Sequence, residues 1–298
     1  MGELNDILEG LESSLGPLSG EPVPLDGGIT NRNYRVTLGG SEFVLRRPGR
    51  DTDLLGIDRE TERLANDAAA SLGIAPAVAG GFGDCLLTRF IACTAVGADE
   101  VADGAREIAL ALRRFHDSPV RLPRRFRVPD LLADYAATVR ARGGELPASY
   151  AEAVQCAARI DAILALKDPR PCHNDLLAGN IIRAREDDRM MIVDWEYAGM
   201  GDPRFDLGNL SINNGFDEAD DERLLGAYHG GTPTDRQRAE LQLTRVLSDA
   251  REAAWGVVQG AVSELDFDFE GYAREHFKRL QDAVERPDFE ECLAAAGA

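Results

Sequence analysis

The chain has 298 residues, 44% of them apolar, and its 33 basic against 52 acidic side chains give a formal charge of −19. That size allows one large domain or two lobes around a cleft, while so acidic a chain repels nucleic-acid phosphates and anionic lipid heads and tolerates cationic small molecules. With no long uncharged apolar run, no basic and apolar leader, and five scattered cysteines without a CxxC pair, it reads as a reduced cytoplasmic protein with neither membrane insertion nor a zinc site.

Residues 3–14 have the pattern of an acidic amphipathic helix. Beyond Pro22 and Pro24, NYRVTLGGSEFVLRR alternates apolar and polar positions on both sides of Gly39-Gly40, a hairpin signal. IDRETERLANDAAASL, residues 57–72, carries helical periodicity and ends at Gly73 and Pro76. DCLLTRFI, residues 84–91, reads as a short strand. From Asp99 onward the pattern turns helical, over 99–116, 129–142, 148–166, 218–229, 234–262 and 270–283. Only 172–210 interrupts it, with a second hairpin expected in IIRAREDDRMMIVDW, its tip at Glu186-Asp187-Asp188. This order predicts an α+β, two-lobed protein: a small sheet lobe with one main helix over 1–92, then a larger, mostly helical lobe over 93–298.

The interrupting segment holds the chemistry. CHNDLLAGN places His173, Asp175 and Asn180 in the HxDxxxxN spacing of a kinase catalytic loop. There the aspartate takes the proton of the attacking hydroxyl and the asparagine holds magnesium. Alone the pattern is weak. Fourteen residues after Asn180, MMIVDWEY delivers Asp194 at the end of an apolar strand, a second hard oxygen ligand of the type Mg²⁺ takes. Phosphoryl transfer needs placement and charge stabilisation more than covalent help, and the two motifs together supply both.

The small lobe is then expected to hold the nucleotide. Gly27-Gly28, Thr30, Asn31 and Asn33 precede a strand, where glycines permit close backbone approach to phosphate. Lysine occurs only at 167 and 278, so a phosphate-binding cation in the first half must be an arginine. Arg46 stands where a kinase keeps its strand lysine, with Glu62 or Glu60 on the next helix as its partner. In GDPRFDLGN, Asp206 is expected to accept backbone N–H bonds and fix the catalytic loop. His173 is expected to brace that loop, and His116 to pack and cap the end of its helix.

GGITNRNYRV, FVLRRPGRDTDLLGIDRETE, HNDLLAGNII, VDWEYAGMGDPRFDLGNL and WGVVQGAVSELDFDFEGYAREHF together resemble the choline/ethanolamine kinase family, and its bacterial choline kinases in particular, within the wider aminoglycoside phosphotransferase and protein kinase-like superfamily. The matches run in order from about residue 26 to 280. The resemblance implies an ATP- and magnesium-dependent kinase of a small amino alcohol, choline or ethanolamine, with Asp175 as base and Asn180 and Asp194 on the metal. It implies phosphate contacts from Gly28, Thr30, Asn31 and the Arg46–Glu62 pair, and adenine contacts from the backbone of Arg89, Phe90 and Ile91. A quaternary ammonium is bound through aromatic faces and carboxylates. Trp255 matches one such family position, but Glu252 stands where animal choline kinases have a second tryptophan, which suits a protonated amine. Trp195 and Tyr197 are further substrate candidates. An aminoglycoside or other small-molecule kinase, and a catalytically silent nucleotide-binding regulator, are the alternatives; oligomeric state stays open.

Overall fold

A two-residue hairpin tip matches the right-handed twist of its strands when both residues take positive φ. Gly39 and Gly40, at 55° and 79°, do this for the first expected hairpin. The computed structural model describes residues 2–25, 31–49 and 52–298. It begins with α1 (Gly2–Leu15) and β1 (Val23–Leu25), followed by the hairpin arms β2 (Asn31–Leu38) and β3 (Ser41–Pro48). Helix α2 (Arg59–Ser71) comes next, its first turn capped by the Asp58 carboxylate accepting from the Thr61 N–H at 2.7 Å. Strands β4 (Val78–Phe82) and β5 (Cys85–Arg89) complete a five-stranded antiparallel sheet of order β1-β2-β3-β5-β4. Ile7, Leu8 and Leu11 of α1 cluster with Val36, Leu38, Phe43, Leu45 and Leu87 of this sheet, so the first helix buries its apolar face on the small sheet.

Beyond β6 (Cys93–Ala95) the chain is mostly helical. Where one helix was expected over 99–116 there are two, α3 (Ala98–Asp103) and α4 (Ala105–His116), parted at Gly104. A Cβ at Gly104 would stand 2.3 Å from the Met190 Sδ, so the joint sits where another element crosses too closely for a side chain. Helices α5 (Val128–Ala141) and α6 (Ser149–Leu164) lead to β7 (Arg170–Cys172). The second hairpin is β8 (Ile181–Ala184) and β9 (Met190–Ile192), joined by β6 into a three-stranded sheet, and β10 (Gly199–Gly201) pairs with β7. The remaining helices are α7 (Pro203–Asn213), α8 (Glu218–His229), α9 (Asp235–Val262), α10 (Phe269–Val284) and α11 (Phe289–Gly297). Helix α9 is the axis of this part, packing against α5, α6, α7, α10 and α11. Among the described residues, no helix is long and apolar enough to cross a membrane.

Candidate active site

A cleft of about 700 Å³ is lined by β3, α2, the segment after β5, the 175–182 loop, residues 193–197 and α9. Its floor is a loop held from beneath. Asp206, with no exposed surface, accepts the His173 N–H at 2.8 Å on Oδ2 and the Asn174 N–H at 2.7 Å on Oδ1. His116 Nε2 lies 2.9 Å from the same Oδ2, and its Nδ1 is 2.8 Å from the Tyr228 hydroxyl. His173 spans to the neighbouring strand end: its Nε2–H donates to the Val193 carbonyl at 3.0 Å, and its Nδ1 accepts from the Asp175 N–H at 3.2 Å. Burial holds that imidazole below its usual pKa, and the neutral ring is what this donor-plus-acceptor role requires. His116 thus goes beyond capping its helix and reaches the loop's anchor.

Asp175 and Asn180 meet above this support. The Asn180 side-chain amide donates to the Asp175 carbonyl at 2.8 Å and to Asp175 Oδ2 at 3.1 Å. Its own carbonyl oxygen therefore remains an acceptor. Asp194 adopts φ 59°, a left-handed conformation uncommon outside glycine, asparagine and aspartate, and one oxygen of its carboxylate is 2.8 Å from Arg46 Nη1.

Arg46 lies on β3 between Asn33 and Leu86 in the register, facing a carboxylate set. It pairs with Glu62 as well as Asp194, and Glu196 Oε2 is 3.8 Å away. Glu62 is 2% exposed, whereas its rival Glu60 is on the outer face. Two participants, Arg59 and Glu196, had not been anticipated, and the expected phosphate-loop residue Asn31 is engaged with one of them. Arg59 reaches Glu62 at 2.8 Å and Glu196 at 3.3 Å, and Asn31 donates to Glu196 at 2.9 Å. Burial, reinforced by Asp194, pushes the Glu196 carboxyl up. Gly28 and Thr30 lie outside the described residues.

Burial pushes Asp175 up to about 7; Arg251 pulls it back, while Glu252, Asp194 and Glu196 add to the rise. A carboxylate poised there is matched to accepting a proton near neutrality. Arg251, also absent from the sequence reading, is 1% exposed and lies on the cleft wall. Its Nη1 donates to Asp175 Oδ1 at 3.0 Å and Glu252 Oε1 at 2.7 Å, with the guanidinium 4.3 Å from the centre of the Tyr197 ring. Burial alone would lower the pKa of Arg251, but Glu252 and Asp175 outweigh it and raise it. Glu252 Oε2 accepts from the Tyr272 hydroxyl at 2.9 Å, so both of its oxygens are engaged. Against burial, Arg251 keeps it ionised.

Trp255 donates its indole N–H to the Tyr197 hydroxyl at 2.8 Å and packs edgewise on Tyr272 and Phe269. Trp195, the other tryptophan, borders the cleft from below. Its indole is 1% exposed, donates to the Ile192 carbonyl, and is wedged against Phe115 and His173. The ring packs under the catalytic-loop histidine. In the segment after β5, the Arg89 N–H is bonded to Ala77 and the Phe90 N–H to Glu42, and the Phe90 ring lies under Arg35. Arg89, Phe90 and Ile91 all border the cleft.

Comparison with known proteins bears on the family and the fold. A model of the phosphotransferase enzyme family matches residues 21–241. A crystal structure of a choline/ethanolamine kinase family protein from Mesorhizobium loti superposes with a TM-score of 0.80 at 31% identity, over 97% of this chain and 98% of that one. A probable choline kinase of Arabidopsis thaliana is 26% identical over 92% of this chain and 88% of its own. An aminoglycoside phosphotransferase solved with GDP and kanamycin, at 14% identity and a TM-score of 0.63 over 95% of this chain and 98% of its own, shares the fold alone. Sequence, fold and cleft converge: the chain is a small-molecule kinase of the phosphotransferase enzyme family, and belongs within it to the choline/ethanolamine kinase family.

Proposed function

We propose that this kinase transfers the γ-phosphate of ATP to the hydroxyl of a small amino alcohol of the choline–ethanolamine class. Residues 1–92 act as the nucleotide lobe and 93–298 as the catalytic and acceptor lobe. The observation that carries this is the meeting of Asp175, Asn180, Asp194 and Arg46 in one cleft, Asp175 bonded to Asn180 and Asp194 to Arg46. Asp175, braced by His173 and Asp206, orients the acceptor hydroxyl toward the γ-phosphate and takes its proton. Arg46, held by Glu62, draws the phosphates toward β3, and the segment Arg89–Ile91 borders the base.

The Asn180 carbonyl and the Asp194 carboxylate are hard oxygen donors of the class that suits Mg²⁺. Around them Asp194, Glu196, Glu62, Asp175 and Glu252 outnumber Arg46, Arg59 and Arg251, a carboxylate excess that a divalent cation would offset. When bound there, the ion would supply charge neutralisation on the phosphates. Trp255 and Tyr197 flank the acceptor end.

The test is ADP release coupled to a panel of choline, ethanolamine, its mono- and dimethyl forms, thiamine, homoserine and kanamycin. Turnover confined to amino alcohols is expected, and its loss in Asp194→Ala with the fold intact. Phosphorylation of kanamycin alone, or undiminished turnover in Asp194→Ala, would overturn the proposal.

A further inference from the structure

Arg251 and Glu252 are neighbours on α9, and both are buried. Consecutive helical residues do not face each other, so the guanidinium turns back to reach Glu252 while it also reaches Asp175. Nη1 makes both contacts, to Asp175 Oδ1 at 3.0 Å and to Glu252 Oε1 at 2.7 Å. The other oxygen of Glu252 accepts from the Tyr272 hydroxyl of α10, and the guanidinium lies over the Tyr197 ring. Among the described residues its Nε and Nη2 meet no acceptor, so the Nη1 bridge and the ring are what hold the group in place. A line of contacts, Tyr272–Glu252–Arg251–Asp175, thus runs from α10 through α9 to the proposed base.

The brace beneath the catalytic loop does a different job. Asp206 and His173 bond main-chain N–H groups, which sets where the backbone of Asp175 lies. The last torsion of an aspartate side chain is broad and two-fold, so a fixed backbone leaves the carboxylate plane free to turn. Asn180 holds Oδ2 at 3.1 Å and Arg251 holds Oδ1 at 3.0 Å. One grip on each oxygen stops that rotation, and the bond between two charged groups is the stronger of the two. Without the guanidinium, Asp175 and Glu252 would be left as buried carboxylates with no cation between them, a costly arrangement that drives the base out of place.

We infer that Arg251 is a positioning residue for the transfer step: anchored by Glu252, its Nη1 fixes the plane of the Asp175 carboxylate toward the acceptor hydroxyl. Glu252 acts through Arg251 and not on the acceptor's amine. This rests on the reading of Asp175 as base. It gives Glu252 a partner inside the protein, where the sequence had suggested the amine of the substrate.

The test is steady-state kinetics with ethanolamine and choline as acceptors, beside ATP binding by calorimetry. Arg251→Met is expected to lower kcat by about 100-fold, the loss that goes with a misplaced reacting group, while the acceptor KM and the ATP Kd move by less than about 3-fold. Arg251→Lys returns the cation without its planar fork and is expected to recover about 10-fold of that loss. In an Asp175→Asn background, Arg251→Met is expected to cost less than about 3-fold more, because a residue acting through Asp175 has nothing left to position. Should Arg251→Met not fold, as its melting curve would show, Glu252→Gln decides, with kcat expected to fall by about 10-fold at unchanged acceptor KM. Three results overturn the inference and leave the amino-alcohol kinase standing. They are a folded variant at either position with kcat within about 3-fold of wild type, an equal fractional loss with and without Asp175→Asn, or an acceptor KM raised about 10-fold in Glu252→Gln with kcat intact. Undiminished turnover in Asp175→Asn, or no turnover of either acceptor by the wild type, overturns the underlying reading as well.

Discussion

Asp206→Asn isolates how much the catalytic loop depends on one buried carboxylate. The best-placed amide would keep its oxygen at the Oδ2 position, facing the His173 N–H and His116, and turn its NH₂ toward the Asn174 N–H now held at 2.7 Å. One buried backbone donor then loses its partner, a cost of about 1–3 kcal/mol, and the two surviving bonds fall from charge-assisted to neutral strength, about 1 kcal/mol each. A total of about 3–5 kcal/mol corresponds to a drop of about 10 °C in melting temperature for a chain of this size. Because those N–H groups set the direction of Asp175, kcat should fall by about 10²-fold, with ATP affinity retained. Scanning calorimetry and steady-state kinetics on the same preparation read both effects. A variant melting within about 2 °C of wild type would mean that Asp206 does not anchor the loop and that the ledger above is wrong.

Asp175→Asn should reduce kcat by at least about 10²-fold, the smallest loss consistent with a general base; titration calorimetry should find ATP binding preserved. Arg46→Met strips a guanidinium from Glu62, Asp194 and Glu196. Breaking a buried pair from one side costs about 3–5 kcal/mol, and the urea midpoint should move toward the lower end of that range because Arg59 still holds Glu62 and Glu196. Gly208→Ala would put a Cβ 2.4 Å from Thr244 Oγ1 and 2.6 Å from the Thr244 carbonyl carbon. Helices α7 and α9 must then separate, at about 1–3 kcal/mol, read as a lowered melting temperature.

Much of the fold was legible because it is written in short-range patterns. The Gly39-Gly40 hairpin, the hairpin at 181–192 and the helices over 129–142, 218–229 and 234–262 each follow from periodicity and local breakers, and the structure has them within a few residues. What was missed lacks such a signature. Strands β1, β6, β7 and β10 are three residues each, too short for alternation to register, and they exist because a neighbour offers hydrogen bonds. Helix α7 is buried along nearly its whole length, so it shows no polar face to set against an apolar one.

The site divides along the same line. Asp175, Asn180 and Asp194 could be singled out because their spacing within one loop and one strand end is local. The charges that tune them could not, since Arg251 meets Asp175 across 76 residues of chain, Arg46 meets Asp194 across 148, and Asn31 meets Glu196 across 165. Composition held a hint that reached Arg46 but not Arg59 or Arg251. With lysine almost absent, the cations of the site were bound to be arginines, and a guanidinium can serve two carboxylates at once where an ammonium acts as a point charge. Arg46, Arg59 and Arg251 each do so, each bridging at least two of the cleft's acidic side chains. Glu196 and Glu252 are buried because those bridges exist, and the Trp255 neighbourhood reads differently once Arg251 is placed. Arg251, the residue next to the missing tryptophan position, pairs with Glu252 there, so the two charges must be read together.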